Sequence, residues 1–469
     1  MTENARPPAP SLPVEIHEGI ATVAVSAGRE AAHLVRDSLR RTILRVAIPA
    51  VASSLLMTLF SSVDAFWVGT KIGPAGLAAV STSLFWIWMI ISLAEMVGVG
   101  LTAVAARRFG EGRASDASRI AGDALVFSVV LGLVVAIIGR SEISKLFALM
   151  QTPDDVTSLG TVYLSTFLLG TPLVYGFFAV DAAFRASGDT RTPFVLLLAS
   201  VAITLLLDPV LILGLGPFPR LGIAGAAIAT IGTRGAAFVM GASIAVRRGL
   251  IRFGRIRGES IRAVCRVGLP TAVTGVTFSL IYVFLTRTTT RFGTPAIAAL
   301  GIGHRVESWL FMIGVGFGAA TAAIVGQNLG AGEPARASRA GWIATGYCTL
   351  LGVVACVLEL VCPRQFASLF TNDPAVIDEA VKYLRIASFS QLAVCAEIVL
   401  EGALGGAGDT VPPMLASTML TASRIPLASR AASRWGSAGI WWVISLTAIG
   451  RALAMIALWW RGGWRAKRV

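Results

Sequence analysis

Eight carboxylates of this chain, Asp64, Glu95, Asp181, Asp208, Glu307, Glu359, Glu397 and Glu401, stand inside runs of apolar residues. An acid at such a place is costly and marks a function or a partner. Two carboxylates held together in a low-dielectric pocket cannot both stay ionised cheaply, so the pair takes up and returns a proton as its surroundings change. Asp64 lies about 17 residues into the first apolar run and Asp208 about 15 residues past Pro193 in the fifth, roughly 26 and 22 Å from the boundary where both runs begin. The two are expected to share one pocket, with proton or cation exchange as its chemistry. The plainer alternative is that each is hydrogen-bonded separately to neighbours such as Ser61, Ser62 or Thr204.

The other candidates carry weaker patterns. In Gly301-Ile-Gly-His304-Arg305-Val-Glu307, His304 and Glu307 are three residues apart and so share a helix face. Two readings stand: a histidine that titrates near neutral pH, or an ion pair of Arg305 or Glu307 that ties two helices together. Arg424 must face protein or water, and Glu397 is its available counter-charge. Asp181 and Glu401 fall near the ends of their runs and read as gate or loop-pairing residues. Glu95 and Glu359 read as snorkelling side chains.

Enzyme chemistry finds no footing. There is no GxxxxGK[ST] phosphate loop, and three histidines, His17, His33 and His304, do not build a metal centre. Five cysteines show no CxxC or Cys/His ligand spacing and read as small core residues. No cofactor and no metal are expected. A membrane-embedded transferase would need spacing such as HxxxxD, and His304 lacks that partner.

The elements that must position these acids follow from composition. The chain has 469 residues, 55% of them hydrophobic and only 14% charged, with a mean hydropathy of +0.75. Soluble domains carry roughly 25% charged residues, so an all-α polytopic membrane protein is expected. Twelve apolar segments of spanning length occur at 43–69, 76–106, 120–141, 159–184, 192–216, 221–246, 265–290, 295–326, 340–362, 380–405, 411–430 and 438–461. Lipid offers backbone groups no partner, which makes each a helix. If both termini are cytosolic, 25 of the 40 basic residues lie on the cytosolic side and eleven outside, an asymmetry that sets this orientation; the expected location is the plasma (inner) membrane. Basic residues confined to short loops, without interleaved aromatics, argue against a nucleic-acid partner. The first 40 residues lack a continuous apolar stretch, so no cleavable signal is expected.

Shifting the chain by 220 residues aligns Gly110, Gly112, Ala117, Ser118 and Arg119 with Gly330, Gly332, Ala337, Ser338 and Arg339. In the same register it aligns Gly188, Asp189, Thr190 and Pro193 with Gly408, Asp409, Thr410 and Pro413. Six spans per repeat is an even number, so the halves are parallel and related by a pseudo-twofold along the membrane normal. The expected organisation is a tail 1–42, an N-lobe 43–246, a basic linker 247–264, a C-lobe 265–461 and a basic tail 462–469. Two such lobes around a cleft suit alternating access.

Val63-Asp64-Ala-Phe-Trp-Val-Gly69, Gly110-Glu-Gly112, Arg185-Ala-Ser-Gly-Asp-Thr190, Leu207-Asp208-Pro209 and Gly326-Gln-Asn-Leu-Gly-Ala-Gly332 resemble the multidrug and toxic compound extrusion family. The resemblance covers nearly everything after residue 42. Arg424-Ile-Pro-Leu427, Gly439-Ile-Trp-Trp442 and Arg461-Gly-Gly-Trp464 are similar to its branch named for the DNA-damage-inducible protein F. The resemblance implies a monomeric antiporter that expels amphipathic, often cationic compounds against H+ or Na+. It places cation and cargo binding on Asp64, Asp208 and Thr230, with Thr204 where many relatives have Asn. The run 265–290 has no acid where another branch carries one, which favours H+ over Na+. A lipid-linked precursor flippase of the same superfamily is the alternative; twelve spans and only four in-span arginines argue against it.

Overall fold

A computed structural model describes residues 34–72, 74–150 and 154–467; within helices it describes some residues, 61–66 among them, by their backbone only. The described chain is helical, with no strand. The helices are α1 (Leu39–Lys71), α2 (Pro74–Gly110), α3 (Ala114–Met150), α4 (Asp154–Leu169), α5 (Thr171–Ser187), α6 (Arg191–Leu213), α7 (Ile223–Arg247), α8 (Gly258–Thr289), α9 (Gly293–Gly330), α10 (Pro334–Val361), the short α11 (Pro363–Ser368), α12 (Pro374–Gly406), α13 (Val411–Ala422) and α14 (Arg424–Arg461). Several begin on proline and stop at glycine, the asymmetry set by a missing donor at one end and a left-handed turn at the other. Asp373 caps α12 by accepting the Ala375 N–H at 2.9 Å.

Ten helical stretches are long and apolar enough to cross a membrane, and the bent pair α4–α5 makes an eleventh. The stretch Val411–Arg461 counts once in that total. It holds a non-helical residue, Gly436 (φ 62°, ψ −148°), where two helices join, which splits it into the eleventh and twelfth spans within the loop the sequence places at 431–437. The span expected at 159–184 is not straight. It bends by 52° between α4 and α5, where Pro172 in the first turn of α5 has no N–H to give Leu168 and the Thr171 hydroxyl bonds that carbonyl instead.

The faces are sharply sorted. On α6, Leu206 is 72% exposed while Asp208, two residues on, is 0% exposed, so one face meets lipid and the other the protein interior. The chain is a multi-pass membrane protein of two six-helix lobes.

The lobes meet through repeat-related surfaces. Helix α1 packs on α9 of the other lobe, and its counterpart α8 packs on α2. At the helix ends the contact is reciprocal: a Cβ on Gly110 would stand 2.0 Å from the Gln327 carbonyl oxygen, and one on Gly330 would stand 2.1 Å from that of Arg107. Residues 107 and 110 shifted by 220 are 327 and 330, so this is the pseudo-twofold read in atoms. Gly112 and Gly332 also match in backbone, with φ of 75° and 77°, a conformation that disfavours any side chain. Across the same end, Gln327 Nε2 donates to the Ala186 carbonyl at 2.7 Å and Arg107 to that of Lys467 at 2.7 Å. Asn328 reaches the Leu34 carbonyl at 3.4 Å. Both described chain ends therefore lie at this end, called the terminal end below, and the lobes are closed there.

Candidate membrane-embedded binding site

The N-lobe site is built by α1, α6 and α7. Helix α6 packs on both the others, which brings the spans bearing Asp64 and Asp208 together. Asp208 lies on the inner face of α6, one turn beyond Thr204, and Pro209 next to it leaves the Leu205 carbonyl without its helical donor. The Asp64 backbone is helical, and its side chain lies outside the described residues. Thr204 Oγ1 stands 2.6 Å from Thr233 Oγ1 across the α6–α7 seam. The hydroxyls of Thr230 and Thr233 are tied to α7's own carbonyls at Ala226 and Ala229, 3.1 and 2.9 Å away. The result is a buried helix seam with one carboxylate and a row of hydroxyls at membrane depth. Arg234, next to Thr233, is buried; it donates to Met57 Sδ at 3.1 Å and lies over the Phe60 ring, 5.5 Å from its centre.

In the C-lobe, Glu307 Oε2 accepts from the Tyr383 hydroxyl at 3.1 Å, which ties α9 to α12. His304 Nδ1 is 3.9 Å from the same oxygen, and its ring meets Tyr282 edge-on at 4.5 Å. Arg305 points elsewhere, over Phe370, so the tie between helices is made by Glu307 and a tyrosine rather than by an arginine pair. The expected Arg424–Glu397 pair does not form. Arg424 Nε donates to Thr447 Oγ1 at 2.7 Å, Nη1 to the Tyr282 hydroxyl at 3.4 Å and Nη2 to the Ile444 carbonyl at 3.3 Å. Glu397 is paired instead with Arg451, at 3.0 Å. Glu359 does not snorkel either: it is 3% exposed and accepts from Gln391 Nε2 at 2.9 and 3.0 Å. Asp181 pairs with Arg185 one turn along its own helix, at 2.6 Å.

Arg451 and Glu397 are both largely buried, so removing one partner strands the other. Arg451→Met is expected to destabilise the fold by about 3–5 kcal/mol, seen as a lower melting temperature in detergent. The double variant Arg451→Met/Glu397→Gln should recover most of the loss, and an unchanged melting temperature in the single variant would remove the pair as a structural element. Among the described residues no three His, Cys, Asp or Glu side chains converge as metal ligands.

A family model described as MatE matches residues 49–210 and again 270–429, one block per repeat. The chain belongs to the MatE family. Among its relatives, the probable multidrug resistance protein YoeA of Bacillus subtilis is 27% identical, over 81% of this chain and 84% of that one. A protein of Shewanella oneidensis named FAD transporter is 28% identical, over 75% of this chain and 79% of that one. In fold, the chain superposes on a MOP superfamily transporter from Pyrococcus furiosus with a TM-score of 0.86 at 21% identity, covering 93% of this chain and 98% of the other. As a MatE chain it is a transporter and not an enzyme.

Within this MatE fold, sequence reasoning had missed Thr233 and Arg234 as N-lobe wall residues and Tyr282, Tyr383, Gln391, Thr447 and Arg451 as C-lobe partners. A signal existed for two of them. Thr233 is three residues from Thr230 and so close to it on the helix, and Tyr383 is the repeat-mate of Tyr163.

Proposed function

We propose that this MatE transporter is a secondary antiporter that exports amphipathic compounds in exchange for H+ by alternating access. The reading places the termini in the cytosol of a plasma-membrane monomer, with lobes at 43–246 and 265–461 joined by the linker 247–264. The observation that carries it is Asp208, wholly buried at membrane depth on a helix packed against the one that bears Asp64. The absence of any Asp or Glu from 265–290 supports H+ over Na+.

In the outward-open state protons load Asp64 and Asp208, and the pocket loses the charge that held a cationic group. Cargo leaves because its affinity differs between the two protonation states, which is all that coupling requires. Helix α1 is the element that responds: Pro49 lies inside it and leaves the Arg45 carbonyl without a donor, a weak point terminal to the acid. Pro49→Ala restores that bond. It is expected to slow efflux about tenfold at unchanged cargo affinity, a barrier change of about 1.4 kcal/mol; an unchanged rate would exclude Pro49 as the bending point.

The test uses purified protein in liposomes, with efflux of a fluorescent cation followed under an imposed pH gradient or an imposed Na+ gradient. Movement under the pH gradient alone is expected. Movement under the Na+ gradient alone would replace the coupling ion, and movement under neither would turn attention to the flippase reading. The relative named FAD transporter supports a cargo range that is not confined to cations.

A further inference from the structure

Four arginines lie well inside the spans, away from their ends, Arg234, Arg305, Arg424 and Arg451, and three are accounted for. Arg451 is paired with Glu397, the three donor nitrogens of Arg424 are each bonded, and Arg305 is exposed over Phe370. Arg234 is different. It is nine-tenths buried, yet its hydrogen bond goes to the Met57 thioether, a weak acceptor, and around it lie the face of Phe60 and the Tyr163 phenol. Among the described residues no carboxylate makes an ion pair with it. A guanidinium held at membrane depth on a thioether and a ring is an expensive cation with its anion missing.

Its place in the pocket says which anion. Thr233 touches Thr204 across the seam, and α6 and α7 run in opposite directions. Asp208 lies one turn from Thr204 away from the terminal end, whereas Arg234 lies one turn from Thr230 toward it. On α1, Phe60 and Met57 are likewise one and two turns from Asp64 toward the terminal end. Asp208 and the backbone of Asp64 are thus offset from Arg234 along the membrane normal by about one to two turns, roughly 5–10 Å. We propose that Arg234 is an oxyanion-recognition site that takes the carboxylate or phosphate of a zwitterionic amphipathic cargo whose cationic end faces Asp64 and Asp208. Both partners that now hold Arg234 belong to α1, beyond Pro49, so movement of that helix rearranges the arginine and the acid together. Cargo bound at both ends is released in one step. This inference rests on the antiport reading for its cycle, but recognition itself needs no gradient.

The test compares two dyes that differ at one group: rhodamine B, a zwitterion with a free carboxylate, and rhodamine B ethyl ester, a permanent cation. Binding is measured by fluorescence polarisation on purified full-length protein in detergent, where no phospholipid phosphate competes. Wild type should bind the free acid about tenfold more tightly than the ester, the size of one charge-assisted hydrogen bond. Equal affinities, or tighter binding of the ester, would overturn the proposal without recourse to any variant. Arg234→Met should bring the ratio to about one, and Arg234→Lys, which keeps the charge but loses the fork, should fall between. A ratio that survives Arg234→Met would overturn the assignment to this residue. A protein that shows the expected ratio but no pH-driven efflux refutes the antiport reading alone; efflux with no acid preference refutes this inference alone.

Discussion

Asp208→Asn and Asp64→Asn are each expected to cut pH-driven efflux by about a hundredfold, at the upper end of ordinary coupling energies, while the protein still folds. Asparagine matches aspartate in shape and fixes the neutral state. Asp208 is 0% exposed, and the near-identical volume of asparagine leaves the packing around it unchanged. What is lost is the difference between two states. On the proposed cycle the wild-type pocket is charged when cargo loads and neutral when cargo leaves, and each proton carried down one unit of pH supplies about 1.4 kcal/mol. A pocket that is always neutral cannot convert that gradient into a concentration ratio, whatever its affinity.

The pH dependence has a definite sign. Acidifying the outside favours protonation of the outward-facing pair, neutralises the pocket and speeds release. Raising the outside pH leaves the acids ionised and cargo bound, so efflux slows. The double variant should be no worse than either single one if, as proposed, the two carboxylates act as a unit. Liposome efflux at several outside pH values checks all three statements. Full pH-driven efflux in either single variant would remove the N-lobe pair as the coupling site and shift the search to Glu307 and its tyrosine partner.

Much of this fold is legible from sequence because the constraints are long-range and crude. A run of about 20 apolar residues has one fate in lipid, and the repeat at 220 residues is legible at pairs such as Gly112 and Gly332, which share a left-handed backbone. What depth cannot give is rotation about the helix axis, where neighbours differ by about 100°. Arg424 and Glu397 lie at compatible depths, yet both side chains meet α14, at Thr447 and Arg451 respectively, rather than each other. Glu359 lies near the end of α10, as its sequence position implies, but Gln391 of α12 covers it. The bend at Gly170 is a local event inside an apolar run, invisible to a window of spanning length, whereas the break at Gly436 falls in the loop expected at 431–437. Arg234 is the clearest case: its sequence context shows an in-span cation, and only its contacts show one that no carboxylate pairs with among the described residues.

Gly110→Val and Gly330→Val are expected to abolish efflux by the opposite route, acting on the closure of the lobes rather than on the pocket. A Cβ at either position would stand about 2 Å from a backbone carbonyl of the other lobe, a distance that no rotamer change relieves, so the lobes must part at the terminal end. Overpacking of this kind costs typically 1–3 kcal/mol. A bias of about 2.7 kcal/mol turns a tenfold preference for the closed end into a tenfold preference for the open one. Cargo would then enter and leave on the same side. Each variant should bind cargo normally, fail to transport it, and exchange amide hydrogens faster in peptides covering 103–113 and 324–334 than wild type does. Because the contact is reciprocal about the pseudo-twofold, the two substitutions should have the same effect within a factor of a few. Normal efflux in both would show that this interface is not sealed during the cycle, and a large difference between them would show that the lobes, though built alike, do not share the work of closure.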